Sequence, residues 1–170
     1  MKQYNLFRVI VAVFILVSYF LPWFSGSAEV GVSDINGFGR GRFTQYTDGE
    51  LTASLVWEFG WLNLIGMVLI IVVLIFDILP LLNISIGQKK EKIATALVSL
   101  SLLLGLVYEV LFLSGSGDIE IRVGEVLIVP LTQWLDILAK YGFEYSIGYG
   151  FIVFIALSIA LIFLCTKKEK

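Results

Sequence analysis

Four long apolar runs, at residues 9–24, 59–82, 93–113 and 147–164, constrain this chain more than any other feature. Each approaches or exceeds the ~20 residues that carry a helix across a ~30 Å hydrocarbon core. With 58% hydrophobic and 15% charged residues and a mean hydropathy of +0.92, a soluble domain of this size could not bury so much apolar surface. The runs predict an all-α transmembrane four-helix bundle forming a single domain, with connecting loops at 25–58 and 114–146.

The distribution of charge sets the expected orientation. Lys2, Arg8, Lys89, Lys90, Lys92, Lys167, Lys168 and Lys170 gather at the two ends and in the link between the second and third runs. The two long loops hold only Arg40, Arg42, Arg122 and Lys140, against ten acidic residues. Cations beside helix ends are retained in the cytoplasm, so both termini and the short link are expected inside, in the cell membrane. An acidic outer face excludes nucleic acid as a partner and suits a cationic protein surface or metal ions. The basic ends suit anionic lipid, making the bilayer itself the first partner. Residues 1–8, the following apolar stretch and Gly26-Ser27-Ala28 resemble a cleavable signal. The run through Tyr19, Phe20, Leu21, Pro22 and Trp23 is longer and more aromatic than a signal core, which favours a retained helix.

The long loops carry ordered-structure signals. In the first, 28–33 and 42–47 are rich in β-formers and flank Asn36-Gly37, a strong hairpin turn signal. Thr47-Asp48-Gly49-Glu50 turns the chain towards 51–57, which reads as an early start to the second helix. In the second loop, 119–123 and 126–129 are short strand candidates interrupted by Gly124. Apolar residues at 131, 134, 135, 138 and 141 follow Pro130 and precede Gly142, which predicts a surface helix too short to span. Because a lone hairpin is marginal, the strands are expected to form one small outer sheet capping the bundle.

This arrangement resembles the claudin-type tetraspan architecture: both termini inside, a large β-prone first outer loop, a short link and a second outer loop. The resemblance is one of topology. That family's first loop carries a tryptophan, a Gly-Leu-Trp element and a disulfide pair. Here Trp23, Trp57 and Trp61 bracket the loop, no Gly-Leu-Trp occurs and Cys165 is the only cysteine, so no family residue is carried over.

Absent residues narrow the chemistry. Without histidine there is no bis-histidine haem, imidazole-bound metal or histidine base, and one cysteine cannot run a dithiol relay. Cys165, beside Lys167 and Lys168, reads as a buried thiol before an acylation site. The serines have no basic partner for a triad, and Gly37-x-Gly39-x-Gly41 is a turn rather than a phosphate cradle. Asn83-Ile84-Ser85 matches a glycosylation sequon but falls on the inner side. These features predict a non-enzyme with no cofactor and no metal ligand set.

Charges inside the runs are the remaining candidates, since an unpaired one costs on the order of 3 kcal/mol in lipid. Arg8 and Asp77 lie at similar depth near the inner surface and are read as a structural ion pair, ahead of a proton or ion site or two snorkelling ends. Glu58, Asn63 and Glu109 lie at comparable outer depth and form a candidate intramembrane polar site. They could bind a cation or share a proton, or anchor Arg40, Arg42 or Arg122 from the loops, the reading favoured here. Ser101-x-x-x-Gly105 and Ala156-x-x-x-Ala160 mark close helix packing, and Trp57, Trp61, Tyr141, Tyr145 and Tyr149 an outer aromatic belt. The expected function is that of a non-catalytic accessory or assembly subunit, docking a membrane-protein partner or a second copy through its outer loops. The alternative is a small oligomeric transporter, channel or ion-binding protein using Asp77, Glu109 or Glu58.

Overall fold

A computed structural model of the chain describes residues 2–46, 51–84 and 89–166, with side chains from Tyr4 onward. The expected turn at 47–50, Ser85 of the sequon and the basic residues Lys167, Lys168 and Lys170 lie outside the described residues. Helix α1 (Lys2–Ser18) leads into four strands, β1 (Pro22–Ala28), β2 (Gly31–Asn36), β3 (Arg40–Gln45) and β4 (Leu51–Trp57). Helix α2 (Gly60–Ile78) continues as a 3-10 turn (Leu79–Leu82), and α3 (Lys90–Leu113) returns. Strands β5 (Asp118–Val123) and β6 (Glu125–Pro130), helix α4 (Leu131–Ala139), strand β7 (Tyr145–Ile147) and helix α5 (Tyr149–Thr166) complete the described chain.

The expected all-α four-helix bundle is therefore corrected. Among the described residues, five helices share the molecule with one seven-stranded sheet in the order β6-β5-β4-β3-β2-β1-β7, antiparallel throughout. The fold is mixed α and β. Three helices are long and apolar enough to cross a membrane, Gly60–Leu82, Lys90–Leu113 and Tyr149–Thr166, while the apolar part of α1, Tyr4–Ser18, is shorter.

The first apolar run misleads because it contains two elements. Proline restricts the residue before it to extended conformations and breaks a continuing helix, so the helix cannot run through Leu21 and Pro22. Within the last turn, Ser18 Oγ donates to Ile15 O at 2.6 Å, and Trp23 Nε1 donates to Ser18 O at 2.9 Å. Beyond this point the chain stays apolar because the start of β1 bulges at Trp23, so that consecutive Trp23 and Phe24 are both wholly enclosed and both meet the Tyr108 ring. Residues 51–57 are likewise strand β4 rather than an early start to α2. Alternate residues Ala53, Leu55 and Trp57 face the core, a period of two that a helix cannot satisfy.

Helices α1 and α3 each pack on both α2 and α5. Small residues admit the close approaches: a Cβ on Gly66 would fall 2.8 Å from the Tyr19 hydroxyl, and one on Gly105 would fall 2.4 Å from the Phe154 ring. An aromatic layer joins the helices to the sheet. Phe24 stacks on Phe112 with centroids 3.7 Å apart, Trp57 meets Tyr108 at 4.7 Å and Trp23 meets Phe154 at 4.9 Å. Each polar rim in this layer finds an acceptor, as buried tryptophan and tyrosine require. Trp57 Nε1 donates to Ser116 O at 3.0 Å and Tyr108 Oη to Asn36 O at 3.0 Å.

The β2–β3 hairpin turns on Asn36. Its Oδ1 accepts from the backbone N–H of Phe38 at 2.9 Å and of Arg40 at 3.2 Å, and Gly39 takes the left-handed conformation at φ +71°. Helix α4 covers one sheet face through Leu131 and Leu138, with Trp134 edge-on to Phe43 at 5.6 Å.

Candidate functional site

The sequence-predicted polar residues fall into three separate places. At the end of the helices away from the sheet, Arg8 Nη2 lies 2.9 Å from Asp77 Oδ1, and Arg8 Nε donates to Asp77 Oδ2 at 3.2 Å. The first contact is an ion pair without hydrogen-bond alignment; the second is the aligned bond. Arg8 Nη1 also meets Glu91 at the start of α3, a second acidic partner. Nearby, the Tyr4 hydroxyl donates to Leu164 O. A buried carboxylate that holds a guanidinium in this way is neutralised and committed to structure.

Further along, the hydroxyls of Tyr19, in the turn after α1, and of Ser101 in α3 are 3.0 Å apart, beside Gly66 of α2. Sequence reasoning missed this bond. Ser101 read only as a small packing residue, and nothing in the chain announces that its partner comes from the turn after α1.

At the sheet end, Glu58, Asn63 and Glu109 do not share a site. Glu58 Oε1 accepts the Asp118 N–H at 3.1 Å, which ties the α2 entrance to β5. Asn63 Nδ2 donates to Gly37 O at 2.8 Å, holding the β2–β3 turn against α2. Glu109 is buried, and both its carboxyl oxygens have no hydrogen-bond partner among the described residues. Arg122, one of the loop cations expected to anchor it, pairs with Glu120 on its own strand.

Within the sheet domain, the Tyr145 hydroxyl lies 2.6 Å from Ser33 Oγ, joining β7 to β2 across β1. Burial pushes the Tyr145 phenol up to about 12, against the opposing pull of its hydrogen bond to Ser33.

The surface of the sheet is uneven. Strand β6 ends the sheet with one edge unpaired, and Val126, Leu127 and Ile128 are 60%, 58% and 63% exposed. Leu127 pairs across from Ile121 and Ile128 from Glu120, so the strand presents apolar side chains on both faces. Its one charge is Glu125, at the far end from Pro130. Natural edge strands are usually blunted by lysine, proline or a bulge; this one is not along 126–129.

No family model matches the chain, and no curated protein or solved structure matches it either. The functional reading therefore rests on the geometry.

Proposed function

We propose that this protein is a non-catalytic membrane-embedded docking subunit, with the sheet domain on the outer side of the cell membrane and both termini in the cytoplasm. The observation that carries the reading is β6: an unpaired, apolar, unguarded sheet edge is a template for strand addition by a partner chain. The positive inner ends and acidic sheet domain support the orientation. Helix α1 supports a fourth embedded element. Its 17 residues reach about 25 Å, and its outward residues Leu6, Phe7, Ile10, Phe14 and Val17 are apolar and uncovered. The polar groups weighed as an alternative ion or proton site support the same reading, because Asp77, Glu58 and Asn63 are engaged in holding elements together.

The test is purification in mild detergent of the protein and of a Leu127→Lys, Ile128→Glu variant. The wild type is expected to carry a stoichiometric membrane-protein partner, or a second copy, that the variant releases while keeping its own thermal stability. A wild type that runs as a clean monomer overturns the reading.

One observation favours the alternative of an ion- or proton-handling protein: Glu109, buried without a partner. Four helices seldom enclose a pathway alone, so this version needs an oligomer. Liposome flux that is lost in Glu109→Gln, with assembly intact, would establish it; absence of flux leaves docking.

A further inference from the structure

Two adjoining clefts open where the sheet meets the start of α2. They measure about 690 and 320 Å³ and share Phe20, Asn36 and Arg40, which puts them in the size range of small-molecule sites. The floor of the larger one descends the side of α2 through Trp61, Leu64 and Met67. Six residues of helix rise make this about 9 Å of apolar wall directed towards the hydrocarbon layer. Phe20 and Phe38 close one flank, edge-to-face at 5.1 Å.

The top of the composite cleft is cationic. Arg40 and Arg42 alternate along β3, so both sit on the same exposed face, and neither forms an ion pair among the described residues. Two carboxylates lie near enough to matter. Asp34 stands across from Arg42 in the β2–β3 register. Glu58 lines the larger cleft with Arg40, but its Oε1 is turned onto the backbone of 117–118, accepting the Asp118 N–H. Arg40 is left facing the cleft with its guanidinium unspent.

We propose that this cleft binds a membrane lipid with an anionic phosphate headgroup, the phosphate on Arg40 with Arg42 beside it and one acyl chain along Trp61, Leu64 and Met67. Guanidinium groups match phosphate oxygens in geometry and charge, and the apolar wall continues into the layer where the chain resides. Any lipid-facing groove touches lipid. The content of the proposal is selection of the anionic headgroup, and it holds whether or not β6 docks a partner.

Trp61 supplies the probe. It is 53% exposed in the cleft, whereas Trp23 and Trp57 are enclosed. The full-length protein would be reconstituted in phosphatidylcholine vesicles containing a minor fraction of chain-brominated phosphatidylglycerol, or the same fraction of chain-brominated phosphatidylcholine. Because the vesicles are symmetric in composition, the result does not depend on orientation. Brominated phosphatidylglycerol is expected to quench more strongly, reflecting about fivefold local enrichment per engaged arginine. Arg40→Gln should remove most of that preference, Arg42→Gln less, and Arg40→Lys should retain part of it. Trp61→Phe should abolish the preferential component. Equal quenching by the two lipids, or a preference that survives Arg40→Gln, overturns the proposal. So does reversal of the preference by soluble glycerol phosphate, which would make this a headgroup site with no claim on the chain.

Discussion

Arg8 and Asp77 hold each other across the α1–α2 contact with both side chains sealed from solvent, while the same guanidinium reaches the half-open carboxylate of Glu91. The two ends of the pair are therefore not equivalent. Arg8→Gln leaves Asp77 buried with no cation, a loss of about 3–5 kcal/mol. Asp77→Asn leaves Arg8 with Glu91 and should cost less. A charge-swapped double variant should recover part of the loss, as coupled residues do. Reversible unfolding in detergent of the four proteins measures this; equal single losses would show that Glu91 takes no share, and additive losses without recovery that Arg8 and Asp77 are not coupled.

Gly60 opens α2 directly beneath the β2–β3 turn. A Cβ there would stand 1.9 Å from Phe38 O, and a backbone atom cannot swing aside. Gly60→Ala is expected to cost at least the 1–3 kcal/mol or so typical of overpacking, far more than an alanine normally gains by helix propensity. Thermal unfolding would check it. A neutral outcome would mean that the turn and α2 are not rigidly apposed.

Tyr145 gives the sheet domain an alkaline limit. Its folded pKa, about 12, lies above the ordinary value of 10.0, so the folded state retains the proton longer. Stability from this group is complete below about pH 10 and is lost as pH rises from there towards 12. Tyr145→Phe should flatten the stability profile across that window. The tyrosinate absorbance of Tyr145, obtained by difference against that variant, should appear above the range of a free phenol.

Orientation is testable with the chain's own chemistry. Cys165 is buried and unpaired, so a membrane-impermeant maleimide should leave the native protein largely unlabelled. Single cysteines introduced at Ser116 and Gln88 should then label from outside and inside the cell respectively. The reverse pattern would invert the docking proposal.

Hydropathy made the apolar helices legible and periodicity marked the surface helix at 131, but neither could divide a continuous apolar run at Leu21. A helix entering lipid and a strand whose bulge buries consecutive side chains both read as unbroken hydrophobic sequence. The same ambiguity hid β4, whose Leu51, Leu55 and Val56 look like the approach to α2. The β2–β3 hairpin was readable because Asn36-Gly37 writes its turn locally, whereas β7 is three residues long and exists only because β1 offers it an edge. At the level of sites, charge at matching depth singles out Arg8 and Asp77. The cleft at Arg40 gathers residues from the turn after α1, from β2, β3 and β4 and from α2, and no local pattern connects them.

The pairing of β1 with β7 also sets a schedule for biogenesis. Ser25 and Ser146 are joined across 121 positions of sequence, and β7 is followed immediately by α5. While the chain is being synthesised, β1 emerges early and waits with one side bare until nearly every other element has left the ribosome. Placing the final helix and closing the sheet are thus a single event. For that interval one border of the nascent protein's sheet is the seven-residue β1 rather than the three-residue β7. Its most vulnerable moment, to aggregation or to a membrane protease, falls just before its last helix is threaded.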